Sequence, residues 1–273
     1  MDKRLKIGIV GSGAIGSSLA GIIIKDFIKQ AKLVGIYDID LNKAKALASK
    51  FRKPYLMVSN LDQLIKKADL VIEAASARAS WAIAKAALNK GKNIMIMSVG
   101  GVVDHLEDLH RLARKNNCKV YIPSGAISGI DALKAARIYK IKNVTLTTTK
   151  NPLAFKGVKY VEEKKINLKK LKHDLVLFSG FASEAVKLFP QNINVAAVLS
   201  LSGIGKNKTR VRIIASPKVN KNIHEILIES EAGIIKTRTE NILHPDNPKT
   251  SFLAVLSAVA MLKGILEPVR IGT

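Results

Sequence analysis

The chain has 273 residues, 48% hydrophobic and 24% charged, with 45 Lys and Arg against 21 Asp and Glu for a formal charge of +24. That length fits two domains, and the mixture is that of a globular chain able to bury a sizeable core, not of a disordered one. The single cysteine, Cys118, excludes an internal disulfide and any multi-cysteine metal site, as in a reducing cytoplasm.

The charge invites a nucleic-acid reading, because clustered Lys and Arg neutralise phosphates. Here the basic residues are scattered, aromatics make up only 5%, and no zinc-finger, ribonucleoprotein or basic-zipper pattern converts charge into recognition. No specific nucleic-acid partner is expected. A solvated lysine-rich surface accounts for the charge, and a positive field would also steer anionic ligands.

The apolar run after Met1 to Lys6 is too short for a secretory leader, so none is expected. The longest apolar segment, Phe252 to Leu262, falls short of the roughly 20 residues of a membrane span. Leu5 to Val10 reads as a buried strand, Ala14 to Gln30 as a helix and Lys32 to Tyr37 as a second strand, which together make a βαβ unit. Between the first strand and the helix stands Gly11-Ser12-Gly13-Ala14-Ile15-Gly16, a G-x-G-x-x-G in the one context that gives it meaning. Gly11 permits the tight turn, Gly13 lets backbone approach a pyrophosphate, and Gly16 lets the helix pack on the strand, with Ala14 and Ile15 at the helix N-terminus. Asp38 closes the second strand 22 positions after Gly16, where an acid binds the ribose 2′-hydroxyl. These are the marks of a Rossmann domain for NAD or NADP; Asp38 favours NAD, and Lys43 and Lys45 leave NADP open.

Alternation continues with helices over 42–51, 61–67, 77–89 and 106–115 and strands over 69–73, 93–97 and 119–122. In a parallel α/β sheet, ligands bind at the carboxyl ends of strands, so Ala75 and Ser76, with Ser98 to Gly101, are expected to border the cofactor. After Ile122 the texture changes. Small residues from Pro123 to Gly129 lead into a helix over 130–138, followed by strands over 144–149, 210–215, 224–229 and 233–239. The fold class expected is therefore α/β: a Rossmann domain over 1–122, completed by a C-terminal helix over 248–273 capped by Asn247, and a second α+β domain with a mainly antiparallel sheet over 123–247.

Six segments together resemble the L-aspartate dehydrogenase family: the glycine motif, Glu73-Ala74-Ala75-Ser76, Ser124 to Gly129, Phe189-Pro190-Gln191-Asn192-Ile193-Asn194-Val195-Ala196-Ala197, Asn222-Ile223-His224-Glu225-Ile226 and Asn247-Pro248-Lys249-Thr250-Ser251. The glycine motif is common to many enzymes, whereas the last three in this order are far more specific. The resemblance implies reversible NAD(P)-dependent oxidative deamination of L-aspartate through iminosuccinate to oxaloacetate and ammonia. It implies that where the reaction is biosynthetic the imine passes to quinolinate synthase, toward NAD. It also implies that His224 takes the catalytic position, and Ala126 and Asn194 cofactor-contact positions.

Such chemistry needs a proton acceptor in the range of histidine. Of the five histidines, His105, His110 and His173 fall on expected surface elements. His224, on a strand face shared with Asn222, Ile226 and Ile228, and His244, before a proline, remain. For a dicarboxylate, the expected helix start at 247–251 offers free N–H groups and Lys249 and Thr250, with Asn222 and Ser128 as further contacts. No metal is required, since H-E-x-x-H and carboxylate-histidine clusters are absent from the sequence. A homoserine dehydrogenase-like or dihydrodipicolinate reductase-like enzyme and a noncatalytic NAD-sensing regulator remain alternatives at this point, and a cytoplasmic homodimer is expected.

Overall fold

The structure is a computed structural model, and it describes residues 3–189, 194–245 and 247–272. The chain divides into two compact units, Met1–Pro123 with Val255–Arg270, and Ser124–Ala254 with Ile271–Thr273.

In the first unit, β1 (Leu5–Val10), α1 (Ala14–Lys25), β2 (Ala31–Tyr37), α2 (Leu41–Lys50), α3 (Leu61–Lys67), β3 (Leu70–Glu73), α4 (Ala77–Asn89), β4 (Asn93–Ile96), α5 (Leu106–Lys115) and β5 (Val120–Tyr121) alternate along the chain. The strands form one five-stranded sheet in the order β2-β1-β3-β4-β5, parallel throughout. Strands buried on both faces explain the unbroken apolar runs in β1 and β3, where Ile7, Ile9, Leu70, Val71 and Ile72 are fully enclosed. The chain leaves β1 for β2 on one side and returns to β3 on the other. The crevice at that reversal opens at the carboxyl ends of β1 and β3.

The second unit contains α6 (Ile130–Ala136), β6 (Ile141–Lys150), α7 (Lys159–Glu163), β7 (Leu175–Phe181), α8 (Ala182–Leu188), α9 (Asn194–Ser202), β8 (Arg210–Ala215), β9 (Asn222–Ser230), β10 (Gly233–Asn241), β11 (Leu243–His244) and β12 (Asn247–Ser251). Its main sheet runs β10-β9-β6-β8-β7, antiparallel except for the parallel β6–β8 pair. On β6, Val144, Leu146, Thr148 and Lys150 are buried in strict alternation with half-buried residues. One face of this sheet is therefore interior and the other is half-solvated.

The segment expected to begin the last helix is instead a strand. Asn247 to Ser251 pairs with β11, Leu243 opposite Ser251 and His244 opposite Asn247, and α10 starts only at Phe252 and runs to Leu266. Asn and Pro carry the same cap signal in a two-stranded ribbon, whose open edges tolerate a residue without an N–H. Beyond Ala254 the helix belongs to the first unit, where Val255, Ala258 and Leu262 complete the core around Ile7, Ile9 and Leu19. Strand β7 lies in a stretch that sequence periodicity left unassigned. Among the described residues, no helix is long and apolar enough to cross a membrane.

Candidate functional site

The turn after β1 is shaped by what it excludes. Gly11 sits at φ +104°, and a Cβ there would overlap the carbonyl of Ala74 at the end of β3. A Cβ on Gly16 would overlap the Gly11 carbonyl, so helix and turn can close only on glycine. Gly13, by contrast, has nothing within 4 Å of where a Cβ would stand. That leaves open space over the N-terminus of α1, where Ala14 and Ile15 begin the helix and no side chain caps Gly13. Asp38 accepts hydrogen bonds from the backbone N–H groups of Ser12 (2.7 Å) and Asp40 (3.0 Å), tying the end of β2 to the glycine turn. Ser12 Oγ is the one buried side-chain oxygen or nitrogen without a hydrogen-bond partner among the described residues. An orphaned hydroxyl, the N-terminus of α1 and a gap at Gly13 fit the pyrophosphate of a dinucleotide.

The neighbouring strand ends are held by a residue to which sequence reasoning gave no role. Glu73, fully buried at the end of β3, accepts hydrogen bonds from Ala75 N–H (2.9 Å), Ser98 N–H (2.9 Å) and Ser80 Oγ (3.0 Å). Burial raises its carboxyl above the usual range, and these donors pull it part of the way back. It thereby fixes the turns carrying Ala75 and Ser76, both exposed, and Ser98 to Gly101.

In the second unit the interior face of the main sheet is apolar at Val144, Leu146, Ile226 and Ile228 and gathers polar side chains at the other end, around His224. His224, 3% exposed, pairs across the ladders with Thr148 on β6 and Thr239 on β10. Its Nδ1 lies 3.0 Å from Thr148 Oγ1, a hydrogen bond that fixes the ring through one of its two nitrogens. Asn222, also buried, donates from Nδ2 to Ser251 Oγ at 3.1 Å. Asn241, opposite Asn222, donates to the carbonyls of Ala126 (3.0 Å) and Asn222 (3.3 Å), and Thr239 Oγ1 donates to Ala126 at 3.1 Å. The 126–128 segment is thus fastened beside His224, and Thr237 Oγ1 reaches Ser128 O at 3.5 Å. Lys150 ends β6 on the same face, 5% exposed. Burial and then the charge of Lys150 push His224 down to about 3, and burial pulls Lys150 down to about 8. Asn222 also lines a cavity of about 360 Å³ together with Asn151, Asn220 and Lys221.

The sequence-predicted residues fall into three groups. His224, Asn222 and Ala126 come together, whereas Ser128 is exposed at the edge and Asn194 is exposed at the start of α9. Thr250 sits on β12, where its hydroxyl accepts from Asn247 Nδ2 at 3.2 Å. The side chain of Lys249 and residues 190–193 lie outside the described residues. With 247–251 extended, the helix-terminus argument for an anion pocket there lapses. His244 is buried edge-to-face on Phe252 at 5.6 Å, His105 stacks on Trp81 at 4.2 Å, and His110 and His173 are exposed. Thr148, Lys150 and Asn241 were missed. Period-two alternation ending in a lysine at an interior position was the available signal for Lys150.

Residues 131–265 match the family model described as aspartate dehydrogenase, C-terminal, and residues 11–123 match that described as homoserine dehydrogenase, NAD binding domain. The chain is 49% identical over 273 residues to L-aspartate dehydrogenase of Methanosarcina acetivorans and 45% identical over 271 residues to that of Methanosarcina barkeri, in each case over 98% of this chain and 100% of the relative. A crystal structure of aspartate dehydrogenase from Thermotoga maritima superposes with a TM-score of 0.75 at 28% identity, covering 98% of this chain and 100% of that one.

Proposed function

This chain belongs to the L-aspartate dehydrogenase family, and from that premise we propose that it catalyses reversible, NAD(P)-dependent oxidative deamination of L-aspartate through iminosuccinate to oxaloacetate and ammonia. It is an NAD(P)-dependent oxidoreductase of the class that acts on the CH–NH₂ group of an amino acid. The observation that carries the finer reading is the buried His224–Thr148 pair, set on a polar sheet face inside the segment matched by the aspartate dehydrogenase model.

A nicotinamide cofactor, when bound, would supply the acceptor for the hydride that leaves the substrate Cα. His224 serves as the base that takes a proton from the substrate ammonium at Nε2, in the tautomer whose Nδ1–H donates to Thr148 Oγ1. Once that proton has left for solvent, the same imidazole takes a proton from the water adding to the imine carbon and returns it to nitrogen as ammonia departs. Aspartate, water and oxidised cofactor thereby give oxaloacetate, ammonium, reduced cofactor and a proton. A bound dicarboxylate lifts His224 from its low ligand-free value, because nearby negative charge favours the imidazolium.

Gly11, Gly13, Ala14, Ile15, Gly16 and Asp38 would hold the dinucleotide, with Ala75 and Ser76 beside it; the family resemblance would give Ala126 and Asn194 a cofactor-contact role. Asn222 and Ser128 would bind the substrate; with 247–251 extended rather than helical, nothing further supports that role for Lys249 and Thr250. Quinolinate synthase, as taker of the imine for pyridine nucleotide biosynthesis, and a cytoplasmic homodimer complete the reading.

The test is NADH oxidation by purified protein with oxaloacetate and ammonia, scored against pyruvate and 2-oxoglutarate, with aspartate identified as product. Turnover that needs both oxaloacetate and ammonia is expected. NADH oxidation without ammonia, yielding malate, or cofactor binding with no turnover would overturn the assignment.

A further inference from the structure

We propose that Glu73 is a positioning residue for the cofactor: its buried carboxylate sets the turns after β3 and β4 so that they receive the half of the dinucleotide that carries the nicotinamide. The proposal deepens the cofactor side of the reading above and rests on it.

Glu73 is the last paired residue of the middle strand, opposite Val10 on β1 and Ile96 on β4. Beyond it the chain turns into α4, and beyond Ile96 it turns toward α5. One carboxylate reaches both turns. Its Oε1 accepts from Ala75 N–H at 2.9 Å, and its Oε2 accepts from Ser98 N–H at 2.9 Å and from Ser80 Oγ, one turn into α4, at 3.0 Å. The turns also lock on their neighbours through backbone. A Cβ on Gly101 would overlap the carbonyl of Ala77 and one on Gly11 that of Ala74, so neither turn shifts without moving what it packs against.

A local cap would hold the start of α4 at less cost. The helices α2 and α3 are capped by the side chains of Asp40 and Asn60 at their own N-termini, whereas Ser76, the N-cap of α4, makes no such bond and is exposed. The work falls instead to a carboxylate that is 0% exposed and has given up its hydration. Support from the interior leaves the outer side of the turn, Ala75 and Ser76, open at the crevice.

Strand order says which half of the cofactor those turns serve. Asp38 follows β2 on one side of the glycine turn, and β3 and β4 lie on the other. A dinucleotide with its pyrophosphate at the N-terminus of α1 and its adenosine toward Asp38 extends its second nucleoside over the ends of β3 and β4, strands roughly 4.8 Å apart. The glycine turn serves the ADP half, and the turns held by Glu73 serve the other.

Glutamine at 73 separates this role from bulk and shape. Whichever way its amide is set, the NH₂ group faces a backbone N–H, that of Ala75 at one site or that of Ser98 at the other. A buried donor facing a donor drives the turn away from its position.

The experiment titrates full-length wild type, Glu73→Gln and Ser80→Ala with NADH and with ADP by calorimetry, with circular dichroism to establish folding. NADH should weaken by at least about 10-fold in Glu73→Gln, as one unpaired buried N–H implies, while ADP stays within twofold of wild type. Ser80→Ala removes one donor and keeps both backbone bonds, so NADH should weaken by about fivefold, again with ADP within twofold. If Glu73→Gln does not fold, Ser80→Ala decides by the same comparison. NADH affinity within twofold of wild type in either folded variant would overturn the proposal, as would equal losses of NADH and ADP, which mark a purely structural role. Wild type that binds neither ligand would sink the cofactor reading itself and the proposal with it.

Discussion

At the end of β1 the chain offers a ligand its backbone: a turn closed by Gly11 and Gly16, open space at Gly13 and the N–H groups of α1. On the β6–β9 face it offers side chains, namely His224, Thr148, Asn222 and Lys150, all at most 5% exposed. A site made of backbone costs the fold little, because its polar groups are helix ends that water or ligand satisfies equally well. A site made of buried polar side chains is maintained against desolvation, which is visible in the displaced proton affinities of His224 and Lys150. On the proposed function the two regions divide the work accordingly: the first would recognise a phosphate-bearing cofactor by shape, and the second would handle protons.

The largest effect expected from this division belongs to His224→Ala. Loss of a positioned acid–base group lowers kcat by roughly 10²–10⁴-fold. Titration of NADH fluorescence should find cofactor affinity within twofold of wild type. A comparable fall in NADH affinity would break the separation of roles.

Gly16→Val is the reciprocal change. The new side chain strikes the Gly11 carbonyl, which is backbone and cannot move aside cheaply. Overpacking of that order should weaken NADH by about 100-fold and lower the melting temperature. A variant that still binds NADH as wild type does would show the turn to be more compliant than its geometry implies.

The smallest expected effect is on stability. His224 sits at about 3 in the folded protein and near 6.5 when unfolded, so the unfolded chain binds the extra proton between those values. Its contribution is complete above pH 6.5 and is lost as pH falls toward 3, about 2 kcal/mol by pH 5. Urea unfolding at pH 8 and pH 5 should therefore reveal a smaller acid penalty in His224→Asn than in wild type. Equal penalties would mean that His224 is reached by water.

The same contrast explains what could be read from the sequence. Glycines in a fixed spacing after an apolar strand have one structural meaning, so Gly11, Gly13, Gly16 and Asp38 were legible. Ser12 and Glu73 were not, because the motif leaves the first position free and an acid ending a strand acquires meaning only when Ser80 and Ser98 fold against it. On the sheet face, period two aligned Asn222 with His224, but Thr148 and Lys150 reach them through a pairing between segments more than 70 residues apart, a relation that no local pattern encodes. The strand at 247–251 was misread as a helix start because Asn-Pro serves both, and its pairing with β11 decided the outcome.

One measurement tests the central claim, oxidative deamination at Cα, most directly. L-aspartate deuterated at C2 is incubated with the protein and oxidised cofactor, and the reduced nicotinamide and released ammonia are analysed by mass spectrometry and enzymatic assay. The account predicts one deuterium in each reduced nicotinamide and one ammonia per turnover. Reduced nicotinamide without deuterium, or formed without ammonia, would contradict it.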